Sequence, residues 1–420
     1  MIFATPLDSL NVWFERRLVG RLWRRDPGLI GFAYDSVWVE ESGFAISRTL
    51  PLSLEPFSPE DPAAHNFFAN LLPEGAVRDH IVRDLKIADE DFELLRAIGG
   101  ECAGALSLLP IREFPTGQSS YLPLSPEALS DLVKRRGHIY SSLPAGERPR
   151  LSLAGAQDKC PVLVREGRFF LPQREAPSSH ILKFELTSYR HVPAYETFTT
   201  MLAREIGLPA VDIDLIEIAG QSCTLTRRYD RDADERGDIR RSHQEDFCQA
   251  LGYPPYKKYQ DSGGPTFADC FNALREVSTE PAVDSENLLR WQIFNVLAGN
   301  SDGHAKNFSL LYRKEGAVRL APFYDLVCTR AIERVDRHLA FGIGGERDPG
   351  KIQRAHWDRF ATECDVRKQF MQRLVQETAS SLTQKLPPTL ESFEKRFGAY
   401  PALQRIEQVV RRASKRALQD

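Results

Sequence analysis

The stretch Asn300-Ser301-Asp302-Gly303-His304-Ala305-Lys306-Asn307 decides the interpretation of this chain. It brings together a carboxylate, an imidazole, an ammonium group and two amides, which are groups that bind metal ions or transfer protons. Apolar residues at helical spacing precede it, and residues 308–312 form a strand-like apolar run directly after it. Because catalytic groups are commonly presented on short loops between buried elements, this stretch is the candidate active site.

The spacing of the acids indicates phosphoryl transfer. In protein kinases, four residues separate the catalytic Asp from an Asn that binds metal, and a later Asp binds metal against the phosphates. Four residues also separate Asp302 from Asn307, and Asp325 follows one predicted hairpin later. The alternative is a polar turn, since Asp-Gly is ordinary turn chemistry. The kinase-like positions of Asn307 and Asp325 make us favour the catalytic interpretation.

Length and composition narrow the class of protein. A chain of 420 residues is too long for a single core, so we expect two or three lobes. The net charge of −3 gives no global basic field for direct binding to nucleic acid or to an anionic membrane. Seven cysteines without a Cys-x-x-Cys pair argue against a disulfide framework and a structural zinc site. We therefore expect a cytoplasmic protein with no signal peptide and no membrane-spanning segment.

A second group of candidate residues lies in the middle of the chain. The small residues Ala154, Gly155 and Ala156 would let backbone amides approach an anion, although a tight turn between strands is the alternative. Lys183 lies centrally in an apolar strand, as the phosphate-binding Lys of a kinase does; the alternative is a solvated Lys on an edge strand. Glu196 opens the next predicted helix, where it would pair with Lys183 or be a solvated Glu at a helix N-terminus.

Taken together, these motifs resemble the HipA-like serine/threonine kinases, the toxin halves of bacterial toxin–antitoxin pairs. The matching segments in the first part of the chain are residues 50–53, 66–68, 70–75 and 97–99. The matching segments in the rest are residues 152–159, 180–183, 243–247, 261–265, 302–307 and 323–325. Because the motifs occur in this order over nearly the whole chain, the resemblance is specific.

The resemblance implies an α+β chain with a two-lobed, protein-kinase-like (phosphoinositide-kinase-like) fold. Its predicted parts are a HipA N-terminal-like module (1–110), a linker (111–150), a kinase N-lobe with the phosphate loop (151–230) and a mostly helical C-lobe with the catalytic loop (231–420). The linker is predicted because Pro, Gly and Ser are frequent there and few residues are apolar.

The resemblance also implies roles for individual residues. Asp302 would be the catalytic base, Asn307 and Asp325 would bind Mg²⁺, and Ser152 would be the autophosphorylation site. The ATP-binding residues would be Ala154, Gly155, Ala156, Gln157, Asp158, Lys159, Lys183, Arg227, Tyr229, His304, Lys306, Asn307, Tyr324 and Asp325. Arg227 and Tyr229 would contact adenine through their backbone. Arg227 departs from the family pattern, since relatives carry an acidic residue there, but a backbone contact should survive this difference.

The implied function is an ATP- and Mg²⁺-dependent serine/threonine-protein kinase toxin. Its target would be a protein hydroxyl on an aminoacyl-tRNA synthetase, in particular glutamyl-tRNA synthetase, so that translation and growth stop and persistence follows. A HipB-like DNA-binding antitoxin would neutralise it, and operator DNA would be reached mainly through that antitoxin. Phosphorylated Ser152 would be a self-inactivated state, and an ordinary strand Ser is the alternative. The rival functions are a small-molecule kinase and a non-catalytic pseudokinase co-regulator.

Overall fold

Sheets dominate the first half of the chain and helices the second half, which confirms the α+β class. A computed structural model describes residues 8–25, 28–41, 43–116, 118–140, 143, 148–313 and 316–419. Within these ranges, none of the helices combines the length and the apolar composition needed to cross a membrane.

The N-terminal module is a four-stranded antiparallel sheet covered by helices. Its strands are β1 (Ser9–Phe14), β2 (Arg17–Arg25), β3 (Leu29–Tyr34) and β4 (Leu106–Pro110), in the order β3-β2-β1-β4. Between β3 and β4 the chain forms α1 (Ser36–Glu40), α2 (Pro62–Ala69), α3 (Gly75–Leu85) and α4 (Asp91–Ile98). Alternate strand residues such as Val12 and Phe32 point into one core with Phe68 and Leu95, so one face of the sheet is buried.

A six-stranded antiparallel sheet follows. Its elements are β5 (Tyr121–Pro123), α5 (Pro126–Lys134), β6 (Lys159–Arg165), β7 (Arg168–Pro172), β8 (His180–Phe184), α6 (Val192–Glu205), β9 (Ile213–Ile218) and β10 (Gln221–Arg227). The strand order is β5-β7-β6-β8-β10-β9. Lys183 therefore lies in a central strand, paired with Lys159 on one side and Thr224 on the other. The alternative of a solvated Lys on an edge strand is wrong.

Part of the predicted linker at residues 111–150 belongs to this sheet. β5 pairs with β7, and Leu132 and Val133 of α5 are buried in the core of the six strands. The helix forms because Ser125 accepts a hydrogen bond from the amide of Ala128 and Pro126 occupies the first turn. The sequence predicts the short helix that Ser125 and Pro126 open, but the prediction of a linker overlooked that this helix packs into the core of the sheet. The remaining domain boundaries stay predictions.

The C-terminal part surrounds a small sheet with helices. A hairpin of β11 (Arg231–Ala233) and β12 (Ile239–Arg241) precedes the strands β13 (His243–Asp246), β14 (Ser309–Tyr312) and β15 (Val318–Leu320). The helices are α7 (Phe247–Ala250), α8 (Phe267–Val277), α9 (Pro281–Ala298), α10 (Arg354–Glu363), α11 (Lys368–Phe397) and α12 (Leu403–Gln419). Gly299 ends α9 in the left-handed region (φ 76°), which turns the chain into residues 300–307 and then into β14.

Candidate active site

The loop of residues 300–307, here called the catalytic loop, is held firmly on its scaffold. The amide of Ser301 donates to Thr329 Oγ1 (2.8 Å), and the carbonyl of Ser301 accepts from the amide of Ala340 (3.0 Å). A Cβ on Gly303 would lie 2.6 Å from Asn295 Nδ2, so a larger residue here would displace the buried Asn295 side chain. Asp302 remains exposed on this fixed loop.

Asp302 has a hydrogen-bond donor that the sequence did not reveal. Tyr259, which lies between two short 3₁₀ turns (Pro255–Lys257 and Gln260–Ser262), donates its hydroxyl to Asp302 Oδ1 at 2.6 Å. Desolvation by the surrounding protein raises the pKa of the Asp302 carboxyl, and the Tyr259 hydrogen bond and the charge of Lys258 partly offset this rise. No sequence spacing links residue 259 to residue 302, so only the fold reveals this contact.

Lys183, Glu196 and Asp325 form a buried ion-pair triad. The Lys183 ammonium donates to Glu196 Oε1 (2.6 Å) and to Asp325 Oδ1. Burial alone would lower the pKa of Lys183, but the two carboxylates outweigh it and the net pKa is raised. Burial acts in the other direction on Asp325, where the attraction of Lys183 and Lys159 lowers the pKa and keeps the carboxylate ionised. The structure therefore makes the predicted Lys183–Glu196 pair and adds Asp325 to it.

Asp302 and Asp325, the two acids at kinase-like spacing, interact electrostatically. The charge of Asp325 contributes to the raised pKa of Asp302 and also acts on His304, so these three side chains lie close enough to interact electrostatically. Asp325 has a φ of 55°, in the left-handed region that a residue with a Cβ rarely occupies. Strain of this kind is typical of functional positions.

The predicted phosphate loop, residues 152–159, wraps around its own lysine. Lys159 donates its ammonium to the carbonyl of Ala154 (2.6 Å), and Gly155 has a φ of 110°. A Cβ at Gly155 would lie 2.8 Å from Lys159 Nζ, so the absence of a side chain lets the ammonium reach the loop. Gln157 donates to the carbonyl of Phe184 (3.1 Å), which fixes the loop to the end of β8.

Two predicted ATP-binding residues use polar groups in contacts with other parts of the protein: Asp158 its carboxylate, and Arg227 its backbone amide. Asp158 faces His138 Nε2 (Oδ1, 3.0 Å) and Arg136 Nε (Oδ2, 3.8 Å) with its carboxylate. The amide of Arg227 donates to the carbonyl of Asp212 (2.8 Å), which leaves no amide proton there for adenine. An adenine contact at Arg227 is therefore restricted to its carbonyl.

Tyr229 and Tyr324 stack on one another where the two lobes meet. Their ring centroids are 5.8 Å apart, with an angle of 24° between the ring planes. Tyr324 donates its hydroxyl to the carbonyl of Lys306 (2.8 Å), whereas the Tyr229 hydroxyl donates to Gln244 Oε1. The structure thus brings these two predicted ATP-binding residues together beside the catalytic loop.

The other predicted residues of the catalytic loop are buried. Burial, followed by the charges of Lys258 and Lys306, lowers the pKa of His304 well below its usual value, so this imidazole is neutral. Lys306 donates to Asn70 Oδ1 (2.6 Å) and lies 3.5 Å from a carboxylate oxygen of Asp246. Its predicted contact with ATP is not supported by these partners, which belong to the protein itself.

Asn307 and Asp325 fit the Mg²⁺ ion that a kinase site implies. Both offer oxygen ligands, which Mg²⁺ prefers. Asp325 is ionised, and Asn307 Oδ1 accepts only a long hydrogen bond, from the amide of His304 (3.3 Å). A metal ion can replace so weak a contact.

The N-terminal module clamps the phosphate loop through residues 71–74, here called the clamp segment. Ser152 is completely buried and donates its hydroxyl to the carbonyl of Leu71 (2.8 Å). The amide of Glu74 donates to the carbonyl of Gly155 (3.1 Å), next to a parallel bridge between Pro73 and Gly155. The Glu74 carboxylate reaches Lys258 Nζ (2.8 Å), the neighbour of Tyr259.

A buried ion network joins the same module to the connection between the lobes. Glu101 is fully buried and accepts from the guanidinium groups of Arg228 (2.9 Å), Arg231 (3.0 Å) and Arg241. Burial would raise the pKa of Glu101, but the three guanidinium groups outweigh it and the pKa is lowered. Asp230 completes the network by accepting from Arg228 and from the amide of Gly104.

Family models and curated relatives match most of this chain. A family model described as the HipA N-terminal domain matches residues 10–109, and one described as the HipA-like C-terminal domain matches residues 151–386. The putative kinase Y4mE of Sinorhizobium fredii is 38% identical over 396 residues, which cover 91% of this chain and 93% of the relative. The serine/threonine-protein kinase toxin HipA of Shewanella oneidensis is 30% identical over 334 residues, which cover 76% and 74%.

A solved structure has the same fold. It contains HipA of Shewanella oneidensis with HipB and operator DNA, and it superposes with a TM-score of 0.81 at 24% identity, covering 98% of this chain and 96% of that one. The fold and the relatives, which are named as kinases, define the class of protein as a HipA-like kinase, and such kinases use ATP. The chain belongs to the HipA family, as the two matching family models show.

Proposed function

We propose that this protein is a serine/threonine-protein kinase toxin that transfers the γ-phosphoryl group of ATP to a protein hydroxyl. The observation that carries the proposal is the buried triad of Lys183, Glu196 and Asp325, whose Asp325 acts electrostatically on Asp302. A lysine between a helix carboxylate and a metal-binding acid is the arrangement that active protein kinases require.

Each residue of the cleft has a role in this reaction. Lys183 and Lys159 bind the phosphates, and Gly155 keeps the loop close to the Lys159 ammonium. Asn307 and Asp325 would hold Mg²⁺, which supplies charge neutralisation of the phosphates when bound. Asp302 accepts the proton of the substrate hydroxyl, and Tyr259 fixes the orientation of the carboxylate that does so.

Autophosphorylation of Ser152 would inactivate the kinase by releasing the phosphate loop. In the described conformation the Ser152 hydroxyl is enclosed and binds the carbonyl of Leu71. A phosphate group brings a charge of roughly −1.5 to −2 and does not fit in this enclosed place. The modified residue must therefore leave the clamp segment, and the loop that carries Lys159 leaves with it.

The partners that we propose follow the family. HipA of Shewanella oneidensis was solved with HipB and operator DNA, which supports a HipB-like antitoxin as the partner of this chain. The net charge of −3 supports contact with operator DNA mainly through that antitoxin. The family resemblance favours an aminoacyl-tRNA synthetase, in particular glutamyl-tRNA synthetase, as the protein substrate, with arrest of translation and growth as the result.

Radioactive labelling of a bacterial lysate tests the proposal. Wild type with γ-³²P-ATP is expected to label a protein band, and Asp302→Gln is expected to label none. Asp238→Gln, at an exposed position between β11 and β12, is the matched control and should label like wild type. Label in an added metabolite with unlabelled proteins would favour the small-molecule kinase. Equal growth arrest by wild type and Asp302→Gln would favour the pseudokinase.

A further inference from the structure

His80, His138 and Asp158 form a cluster of possible metal ligands outside the candidate active site. One ligand atom of each residue lies within 4.8 Å of the ligand atoms of the other two. His80 is on α3 of the N-terminal module, His138 follows α5, and Asp158 is in the phosphate loop. In the part of the chain that the structure describes, no other group of three His, Cys or carboxylate side chains meets this distance.

The contacts inside the cluster leave room for a further ligand. Asp158 Oδ1 is 3.0 Å from His138 Nε2, and its other oxygen lies on the side of Arg136 (3.8 Å). The rings of His80 and His138 meet at 4.4 Å between centroids. His80 Nδ1 is buried and has no hydrogen-bond partner among the residues that the structure describes. A buried ring nitrogen without a partner is costly, and a metal ion beside it would remove the cost.

A further carboxylate lies near the cluster. His138 and Asp158 line a cavity beside α3, and Asp84 lines the same cavity. Asp84 follows His80 by four residues on α3, which places the two side chains on one face of the helix. Arg136 and Lys159 also line this cavity and oppose a cation, but the Lys159 ammonium donates to the carbonyl of Ala154.

We propose that His80, His138 and Asp158 bind a Zn²⁺ ion that ties the phosphate loop to the N-terminal module. Two imidazoles and a carboxylate are ligands that Zn²⁺ accepts, and three protein ligands leave a fourth position for water. The cysteine spacing argued against a structural zinc site, but this cluster uses no cysteine. Its members are far apart in sequence, so only the fold reveals it.

The position of the site gives it a regulatory consequence. α3 begins directly after the clamp segment, so the metal would add a second attachment of the phosphate loop to the same module. If Zn²⁺ holds the loop in the conformation that binds ATP, it increases the affinity for ATP, and ATP then increases the affinity for Zn²⁺ by the same factor. This consequence rests on the proposed function, whereas Zn²⁺ binding itself does not.

Zn²⁺ titration of the chelator-treated full chain tests the site. We expect one equivalent in wild type, and binding at least about tenfold weaker in His80→Gln, His138→Gln and Asp158→Asn. The matched control is His338→Gln, because His338 also pairs with an aspartate (Asp336, 2.8 Å) but is exposed and belongs to no such cluster. All seven cysteines are buried and should not compete for the metal.

Two further measurements keep the test independent of activity and of folding. Zn²⁺ should raise the melting temperature of wild type and of His338→Gln but not of His80→Gln, and it should slow hydrogen exchange in residues 151–159. Several weakly bound ions that are unchanged in the variants would mean adventitious binding only, and would overturn the proposal. Zn²⁺ binding and loop protection without any change in ATP affinity would support the metal site and contradict its coupling to ATP binding.

Discussion

At the scale of single residues, the candidate active site contains buried charges whose burial would be costly without an opposite charge beside them. Lys183 is buried between two carboxylates, and its raised pKa shows that their attraction exceeds the cost of burying the ammonium. Asp302 is different, because its carboxyl is exposed on the fixed catalytic loop and Tyr259 opposes the rise in its pKa. The three side chains of the triad therefore keep one another ionised. The pKa of Asp302, the proposed base, is instead lowered by its hydrogen bond with Tyr259.

Tyr259→Phe should move the pH profile of phosphoryl transfer. Loss of the donor to Asp302 raises the pKa of that carboxyl further, because the Tyr259 hydrogen bond lowers it in wild type. A base must be deprotonated to act, so the acidic limb of kcat/KM should shift to higher pH. Tyr256→Phe, at a highly exposed tyrosine, should leave the limb unchanged. An unchanged limb in Tyr259→Phe, or a shift to lower pH, would contradict the role of Tyr259.

The residue-level chemistry was predictable where spacing in the sequence carried it. Asp302, Asn307 and Asp325 were predicted from kinase-like spacing, and Lys183 from its place in an apolar strand, and the structure brings Lys183 into contact with Asp325. Tyr259 was missed because its partner is 43 residues away and no periodicity joins them. The predicted adenine contact of Arg227 included its backbone amide, but this amide donates to the carbonyl of Asp212. The sequence does not reveal which backbone amides are already hydrogen-bonded to a neighbouring segment.

At the scale of elements, the phosphate loop and β13 are both held by the N-terminal module. The clamp segment binds the loop through Leu71 and Glu74. Glu245 of β13 is fully buried and accepts from Ser47 Oγ (2.6 Å), from the amide of Arg48 (3.0 Å) and from the hydroxyl of Tyr312. The N-terminal module thus positions two elements of the kinase part, the phosphate loop and β13.

Substitution of Ser152 should separate the effect of charge from that of a lost hydrogen bond. Ser152→Ala removes only the bond to the Leu71 carbonyl, which is worth about 1 kcal/mol, and should bind ATP within a few-fold of wild type. Ser152→Asp places an unpaired charge in an enclosed site and should weaken ATP binding at least about tenfold, which is about 1.4 kcal/mol. Calorimetric ATP titration distinguishes them, and equal affinity for all three proteins would exclude inactivation through this residue.

Glu245 should make the stability of the chain depend on pH. Burial raises the pKa of this carboxyl from its ordinary 4.5 to about 7, so the folded state retains a proton that the unfolded state loses between these values. Its contribution to stability therefore falls as the pH rises from about 4.5 to about 7. The melting temperature of Glu245→Gln relative to wild type should rise over the same interval. Glu217→Gln, at an exposed residue of β9, should show no such trend, and a flat difference for Glu245→Gln would contradict the prediction.

The elements themselves were only partly predictable. The α+β class and a helix after Ser125 were found, because alternation and capping are local signals. The pairing of β5 with β7 was missed, because β5 has three residues and its partner lies about fifty residues away. Short strands contain too little periodicity to be recognised from sequence.

At the scale of the whole molecule, the N-terminal module holds several segments of the kinase part in place. It contacts the phosphate loop, β13 and, through Glu101, the segment between the lobes. These contacts join residues far apart in sequence, so composition and spacing did not reveal them. The network around Glu101 attaches the N-terminal module electrostatically to the segment between the lobes, since three guanidinium groups converge on one buried carboxylate.

Glu101→Gln should destabilise the molecule far more than the loss of an exposed ion pair. Removal of one charge from a buried network leaves the arginines uncompensated, at a cost of about 3–5 kcal/mol in free energy of unfolding. Glu113→Gln, which removes a partly exposed acid 3.3 Å from Arg150, should cost less than about 1 kcal/mol. Urea unfolding of both variants checks this difference, and equal midpoints would show that the network contributes little.

The central claim is that a nucleotide with its metal occupies the cleft between Asp302 and Asp325, held by Lys183. Calorimetric titration with Mg²⁺·ATP tests it most directly, using wild type, Lys183→Gln, Asp302→Gln and Lys385→Gln, the last at an exposed lysine that pairs with Glu205 at 3.7 Å. We expect Lys183→Gln to bind at least about tenfold more weakly than wild type, which is about 1.4 kcal/mol. Asp302→Gln and Lys385→Gln should bind like wild type, because the base acts on the substrate and Lys385 is exposed. Wild-type affinity in Lys183→Gln would contradict the account.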